Sequence, residues 1–127
     1  MSDYTITNLD EVEDSAAKRG LDFGSVRFPR EAVGAERTGF AHVVLAPGRA
    51  QPFGHRHEQA EEIHVVISGS GQVKLDDGIH DLRTHDIIRL APGVTRSFRA
   101  GDDGLEFIVF GARHGGDGEI VAGYWES

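Results

Sequence analysis

Short apolar segments separated by turn residues run through most of the chain after residue 38. Ile63–Ile67 is apolar except at His64, which predicts a strand buried on both faces. Apolar segments flank Asp76-Asp77-Gly78 and Gly101-Asp102-Asp103-Gly104, and we expect a hairpin at each because glycine accepts the positive φ of a tight turn. About eight short strands with regular turns indicate an all-β sandwich or small barrel. The other strands are predicted over Phe40–Ala46, Val73–Leu75, Ile79–Leu82, Asp86–Leu90, Thr95–Arg99, Leu105–Phe110 and Glu119–Trp125.

The N-terminal third has a different pattern. Residues 8–20 have the features of a helix, because Asn8 followed by Glu11 resembles a capping box. Residues 21–37 alternate briefly, like a short strand, before Pro29 interrupts. We therefore divide the chain into two parts. Residues 1–37 form an N-terminal helix and arm that packs on the barrel or on a second subunit, and residues 38–127 form the barrel.

Composition limits the function classes. The chain has 127 residues and a formal charge of −8, which fits one domain and disfavours nucleic acid as a partner. It has no cysteine, so any metal site must be built from histidines and carboxylates. No apolar run approaches the roughly 20 residues that span a bilayer, so we expect no membrane insertion. The first residues lack the basic and apolar regions of a secretory signal, and a cytoplasmic protein is expected.

The candidate chemistry lies where a loop enters the sheet. His55 and His57 are one residue apart, and Glu62 follows five residues after His57. In an extended segment the two imidazoles point to one side, about 7 Å apart along the backbone. Glu62 can reach the same point if the intervening loop folds back, and His64 then shares its face. Two histidines and one carboxylate leave open positions, an arrangement suited to Fe(II) and similar metals.

At this point the sequence resembles a small single-domain member of the cupin superfamily, over roughly residues 38–111. Gly48, His55, His57, Glu62 and Gly69 match the first motif of that family, and residues 85–98 are similar to its second motif through an Asp, a Pro-Gly turn and a Phe. The resemblance implies a double-sheet jelly roll, also called a double-stranded β-helix, with the metal ligands pointing into the barrel mouth. It also implies a homodimer.

Two residues depart from the family pattern. His85 stands where these proteins usually carry glycine. Arg96 stands where they usually carry the histidine that is the fourth metal ligand. Arginine has no lone pair to donate, so Arg96 cannot ligate a metal. It could anchor a substrate carboxylate or phosphate with its planar fork, or form an internal ion pair with Glu62 or Glu61.

Two functional hypotheses follow. In the first, one divalent ion (Fe, Mn, Ni or Zn) is held by His55, His57 and Glu62. The protein then acts on a small anionic molecule bound by Arg96 and His64, in an oxygenase-like or isomerase-like reaction. The alternative is a non-catalytic, metal-free binding protein in which Arg96 replaces the usual ligand histidine. A structural domain with a vestigial pocket is a third possibility.

Overall fold

Antiparallel strands make up most of the computed structural model, which describes residues 3–112 and 114–127. The strands alternate with few helical turns, as the pattern of short apolar segments predicts, and the all-β class is confirmed. The strands are β1 (Gly24–Arg27), β2 (Thr38–Leu45), β3 (Gly54–His57), β4 (Glu62–Leu75), β5 (Gly78–Arg83), β6 (Ile87–Leu90), β7 (Ser97–Ala112) and β8 (Gly118–Val121). The helices are α1 (Ser15–Lys18), α2 (Arg30–Val33) and two 3-10 turns, Leu9–Glu11 and Tyr124–Glu126.

Two sheets build the fold. Six strands form one sheet in the order β1-β2-β7-β4-β5, with β6 also pairing with β4, and β3 pairs with β8 in a separate ribbon. The bridge between His55 and Arg96 ties this ribbon to the segment that precedes β7. The hydrophobic core lies on the inner face of the large sheet. Its most buried members are Leu45, Val66, Val73, Phe98, Leu105 and Phe107.

The N-terminal segment is not one helix over residues 8–20. Asn8 does cap a helical turn by accepting from Asp10 N, but that turn ends at Glu11. Asp14 then caps a second, separate helix through Ala16 N and also accepts from Val26 N in β1, 3.0 Å away. An aspartate in mid-segment that competes for backbone N–H groups starts a new helix instead of continuing the old one. α2 was not expected from the sequence.

The arm contacts its own barrel. Ala16 and Phe23 are buried in the core cluster, and Leu21 and Val26 pack against it. The predicted short strand before Pro29 is present as β1, which pairs with β2.

The second predicted hairpin, at residues 101–104, is wrong. These residues lie within the 16-residue strand β7, which pairs with both β2 and β4. Gly101 and Gly104 instead lie at a register shift in the β4–β7 pairing, between the partners of Gly69 and Gly71. Gly69 has φ +82°, and a side chain there would collide with the carbonyl oxygen of Gly104. Such bulges let long strands bend from one side of a barrel to the other.

Two further sequence predictions concern the first hairpin and the last strand. The hairpin at Asp76-Asp77-Gly78 joins β4 to β5 and is confirmed. The last strand is shorter than residues 119–125, since β8 ends at Val121 and the chain finishes in a 3-10 turn. Among the described residues, no helix has the length and apolar character needed to cross a membrane.

Candidate metal centre

Three potential ligand side chains meet at the mouth of the barrel. His55 and His57 lie in β3, and Glu62 is the first residue of β4. Ligand atoms of the three residues all lie within 4.8 Å of one another. His57 Nε2 is 3.3 Å from Glu62 Oε2, and the two imidazole rings are perpendicular with centroids 5.5 Å apart. The loop between the strands therefore folds back, as convergence of the three side chains requires.

Local packing holds β3 in place. β3 pairs with β8, and His55 exchanges backbone hydrogen bonds of 3.0 Å with Arg96. Gly93 N donates to His57 O at 2.7 Å. Gly54 opens the strand against the ring of Tyr124, where a Cβ atom would come within 2.8 Å of ring carbons, so a larger residue would push the strand away.

Asp117 orients His57, although no sequence pattern pointed to it. Its Oδ1 lies 2.9 Å from His57 Nδ1, and its Oδ2 accepts from Gln59 N and Ala60 N at 3.1 and 3.0 Å. The hydrogen bond with His57, followed by those backbone groups, lowers the pKa of Asp117 to about 2 against the effect of burial. An ionised carboxylate only accepts, so Nδ1 of His57 carries a proton. Nε2 faces Glu62 and is the ring nitrogen left for a metal.

Arg96 lies behind Glu62. Its side chain is fully buried, and its guanidinium donates to Glu62 Oε1 at 2.6 Å and to Val94 O at 2.8 Å. The sequence left open whether Arg96 anchors a substrate or forms an internal ion pair with Glu62 or Glu61. The structure contains the ion pair with Glu62. Arg96 is not among the described residues that line the cavity in front of Glu62. Its predicted role as a substrate anchor stays a prediction.

His64 shares the inner face with Glu62. It is 1% exposed, its ring stacks on Phe98 with centroids 4.9 Å apart, and its Nε2 is 4.0 Å from Glu62 Oε1. Its Nδ1 is buried and has no hydrogen-bond partner among the described residues. Burial, and then the charge of Arg96, holds the pKa of His64 well below its usual range. His64 is therefore a neutral polar group in an aromatic wall.

His55 is also held neutral. Burial lowers its pKa to about 4, with smaller contributions from the charges of Arg96 and His57. A neutral imidazole keeps the lone pair that a metal ligand donates. His55 therefore has no proton to release before its lone pair can bind a metal.

The site opens into a cavity of about 580 Å³. Its lining includes His55, His57, Glu62 and His64, with Asp117 at the rim of this polar end. Most of the remaining wall is apolar.

The residues present fit a divalent cation. Two imidazoles and one carboxylate converge from one side, and one carboxylate oxygen, Oε2 of Glu62, is free of the guanidinium. Arg96 repels a cation, by about 8 kcal/mol for a dication at 4 Å and an effective dielectric near 20. The charge of Glu62 lies between the two and offsets this repulsion.

The other histidines lie elsewhere. His42 is buried on the opposite face of the sheet. Its Nε2 is 2.7 Å from Glu106 Oε2, and this hydrogen bond lowers the pKa of Glu106.

His80 and His85 are exposed, as expected. His85 has φ +75°, the conformation for which glycine is usual, so the substitution affects a turn. His114 lies at the edge of the cavity. Glu61 points outward, as expected, and pairs with Arg89.

A small jelly-roll barrel with a candidate His-His-Glu metal centre at its mouth is the class of protein that fold and site define. A family model described as the cupin domain matches residues 41–111, more than half of the chain. The protein belongs to the cupin family.

Solved structures agree with this fold. A cupin protein from Bacteroides fragilis is similar with a TM-score of 0.72 at 22% identity, over 91% of this chain and 89% of that chain. A cupin-superfamily sugar phosphate isomerase from Silicibacter pomeroyi has a TM-score of 0.72 at 19% identity, covering 94% and 93%. The polyketide cyclase RemF from Streptomyces resistomycificus has a TM-score of 0.74 at 19% identity, covering 93% and 84%. No curated protein matches the chain in sequence. At these identities the likeness concerns the fold, and the jelly-roll prediction is confirmed.

Proposed function

We propose that the protein binds one divalent metal ion (Fe, Mn, Ni or Zn) through His55, His57 and Glu62, and acts on a small molecule in the cavity. The observation that carries this proposal is the convergence of three ligand side chains within 4.8 Å at the wall of a cavity of about 580 Å³. The pre-set orientation of His57 by Asp117 supports it, because outer hydrogen bonds of this kind orient metal ligands.

The chain's own residues have distinct roles in this proposal. When bound, the ion would supply a Lewis acid that polarises a substrate oxygen. Arg96 holds Oε1 of Glu62 and so directs Oε2 toward the site. His64 offers a neutral hydrogen-bonding group at the wall, and Phe98 and Phe107 beside it exclude water.

The site is consistent with two classes of reaction. Oxygenase-like and isomerase-like chemistry are both consistent with such a site, and the structural relatives include a sugar phosphate isomerase and a polyketide cyclase. One barrel supports many reactions, because function resides in the side chains of the site and not in the fold.

A second candidate function is a metal-free, non-catalytic binding protein. The observation that favours it is the 2.6 Å ion pair between the fully buried Arg96 and Glu62, since it satisfies part of the Glu62 charge without a cation. In this version Glu62 and the histidines hydrogen-bond to a small-molecule ligand.

Elemental analysis separates the two. Protein purified without a metal-affinity tag should contain close to one divalent ion per chain, and His57→Ala should lose it. His80→Ala, which removes an exposed histidine far from the site in sequence, should keep it. Metal-free wild-type protein that also fails to take up any of the four ions would support the binding protein.

We also propose a homodimer formed by the outer face of the large sheet. Ile87 and Phe110 are 70% and 39% exposed, and their pairing with Val65 and Ile63 puts them on the face opposite the core. Ile67, at the register shift beside them, is 38% exposed. Exposed apolar patches of this kind mark interaction surfaces. Sedimentation should give a dimer for the wild type and a monomer for Ile87→Glu, while Ile79→Glu, on β5, should leave the dimer intact. A monomeric wild type would contradict this proposal.

A further inference from the structure

The phenylalanines of the chain are concentrated around one space. The chain has seven, and six of them are among the residues that line the cavity at the candidate metal centre. Phe40 pairs with Phe110 and so directs its ring to the outer face of the sheet, and the cavity reaches it only at the edge of β2. The six come from four parts of the fold: the arm, β2, the loop before β3, and β7. The six are Phe23, Phe28, Phe40, Phe53, Phe98 and Phe107.

These rings are not only core residues. Phe98 and Phe107 are fully buried with ring centroids 4.4 Å apart, but Phe28 is 58% exposed and still lines the cavity. The apolar wall therefore continues from the core to the solvent. A space of about 580 Å³ with such a wall has the size and lining of sites that bury most of a drug-sized organic ligand.

Charged partners for an anionic ligand are scarce along this wall. Among the described lining residues the guanidinium groups are those of Arg19 and Arg30, both from the arm. Arg30 already donates to Ala35 O and lies 3.5 Å from Glu31, and Arg19 is on the exposed surface. Burying a phosphate or a dicarboxylate without a partner is costly, because the charged group loses its hydration.

One end of the cavity carries a cluster of polar side chains. It consists of His55 and His57 at alternate positions of β3 and Glu62 and His64 at alternate positions of β4. A ligand that satisfies both parts of the lining has an apolar body and one polar end.

We propose that the cavity binds a mostly apolar, aromatic small molecule whose one oxygen-bearing group (a hydroxyl or carbonyl) faces the His-His-Glu end. Aromatic rings pack on phenylalanine edge to face or offset, and each such pair adds to the simple burial of area. The apolar part of this inference stands on the cavity lining, and only the placement of the oxygen group rests on the proposed function. The class differs from the anionic substrate predicted from Arg96, whose guanidinium is committed to Glu62 and Val94.

Calorimetric titration with three defined probes tests the inference. The probes are 1-naphthol, ribose 5-phosphate and oxalate, titrated into full-length protein in the presence of a chelator. We expect 1-naphthol to bind at one site per chain with a negative heat-capacity change, the mark of apolar burial. The two anions should bind at least tenfold more weakly.

Variants of exposed or half-buried aromatic residues give a matched comparison. Phe28→Ser and Phe53→Ser should each weaken 1-naphthol binding about 3- to 10-fold. Tyr4→Ser removes a ring that is also exposed, at 76%, but neither lines the cavity nor belongs to the proposed dimer face, and it should change the affinity by less than twofold. Circular dichroism on the same samples checks that each variant is folded, and a loss of fold at Phe53 leaves the comparison of Phe28 with Tyr4 in force.

Three results would overturn the inference: tighter binding of either anion than of 1-naphthol, no saturable binding of 1-naphthol, or equal effects of Phe28→Ser and Tyr4→Ser. Because the chelator removes any divalent ion, these titrations do not depend on metal binding. A protein that binds 1-naphthol but no metal would refute the proposed function alone, and a protein that binds metal but not 1-naphthol would refute the inference alone.

Discussion

Arg96 Nη2 lies 2.6 Å from Glu62 Oε1, and the guanidinium is fully buried behind the carboxylate. The pair stands where a related barrel would place a fourth metal-ligand histidine. A permanent cation there does not exclude a metal, because the second oxygen of Glu62 remains directed at His57. Glu62 must then bind both the Arg96 guanidinium and a metal ion. The stability of the protein and its metal affinity therefore both depend on this one side chain.

Breaking this pair should destabilise the protein strongly. Arg96→Met leaves Glu62 without its partner in a buried position, and we expect a loss of about 3–5 kcal/mol in the free energy of unfolding, as for other broken buried ion pairs. Urea denaturation of chelator-treated protein measures it.

The exposed pair between Arg89 and Glu61 is the control. Its N–O distance is 3.1 Å and both side chains are more than half exposed, so Arg89→Met should cost less than about 1 kcal/mol. Equal losses for the two variants would contradict a special role of the buried pair.

Asp117 should act on metal binding through His57. Asp117→Asn can still accept from Gln59 N and Ala60 N, but its uncharged amide no longer fixes the proton on Nδ1 of His57. We expect metal affinity to fall about 10- to 100-fold. Nitrogen NMR of the metal-free protein should show the Nδ1-protonated form of His57 in the wild type and a mixture in the variant.

Asp77→Asn provides the matched control, because Asp77 lies 2.8 Å from Nε2 of the exposed His80. It should change neither the metal affinity nor the His57 signals. An Asp117→Asn protein with wild-type affinity would show that the hydrogen bond is only structural.

The stability of the metal-free protein should fall between pH 6.5 and pH 4. The pKa of His55 is about 4 in the folded protein because burial, Arg96 and His57 disfavour its proton, whereas an unperturbed histidine has a value of 6.5. Below pH 6.5 the unfolded chain takes up this proton first, so the folded state loses stability, by at most about 1.4 kcal/mol per pH unit. His64, whose pKa is also lowered, adds to the same trend.

His55→Gln isolates this contribution. Glutamine has no proton to gain, so the pH dependence of the unfolding free energy over this range should be shallower than in the wild type. Denaturation at several pH values with a chelator present gives both slopes. Identical slopes would mean that His55 is not held neutral by its surroundings.

The bulge between the two long strands should tolerate no side chain. Gly69→Ala would combine a positive φ with a collision against Gly104 O, and we expect a loss of about 3 kcal/mol or more, or a failure to fold. Gly115→Ala, at a site with open space around it, should be close to neutral. Thermal unfolding compares the two variants. A stable Gly69→Ala protein would contradict the close approach of the Gly104 carbonyl to Gly69.

Much of the site could be predicted from local sequence. The alternation of side chains in an extended segment places His55 and His57 on one side, and the same rule puts Glu62 and His64 on one face of β4. Only the folding back of the intervening loop had to be assumed. The strands around the first hairpin were predictable for the same reason, because their pattern is local.

What could not be predicted depends on contacts between distant segments. Asp117 follows His57 by 60 residues, and no local pattern links the two. Residues 101–104 have the composition of a turn, but β7 pairs with β4 both before them, at Ala100, and after them, at Leu105, so they form an irregularity within β7 and not a hairpin. The choice of Glu62 as the partner of Arg96 likewise required the packed barrel, since both of its possible roles fit the sequence.

Anomalous diffraction from crystals of protein loaded with a single divalent ion is the most direct test of the central claim. We expect one anomalous peak within bonding distance of His55, His57 and Glu62, with the Arg96 guanidinium still on the far side of the Glu62 carboxylate. A peak elsewhere, or a guanidinium that fills the space among the three side chains with no ion present, would contradict it.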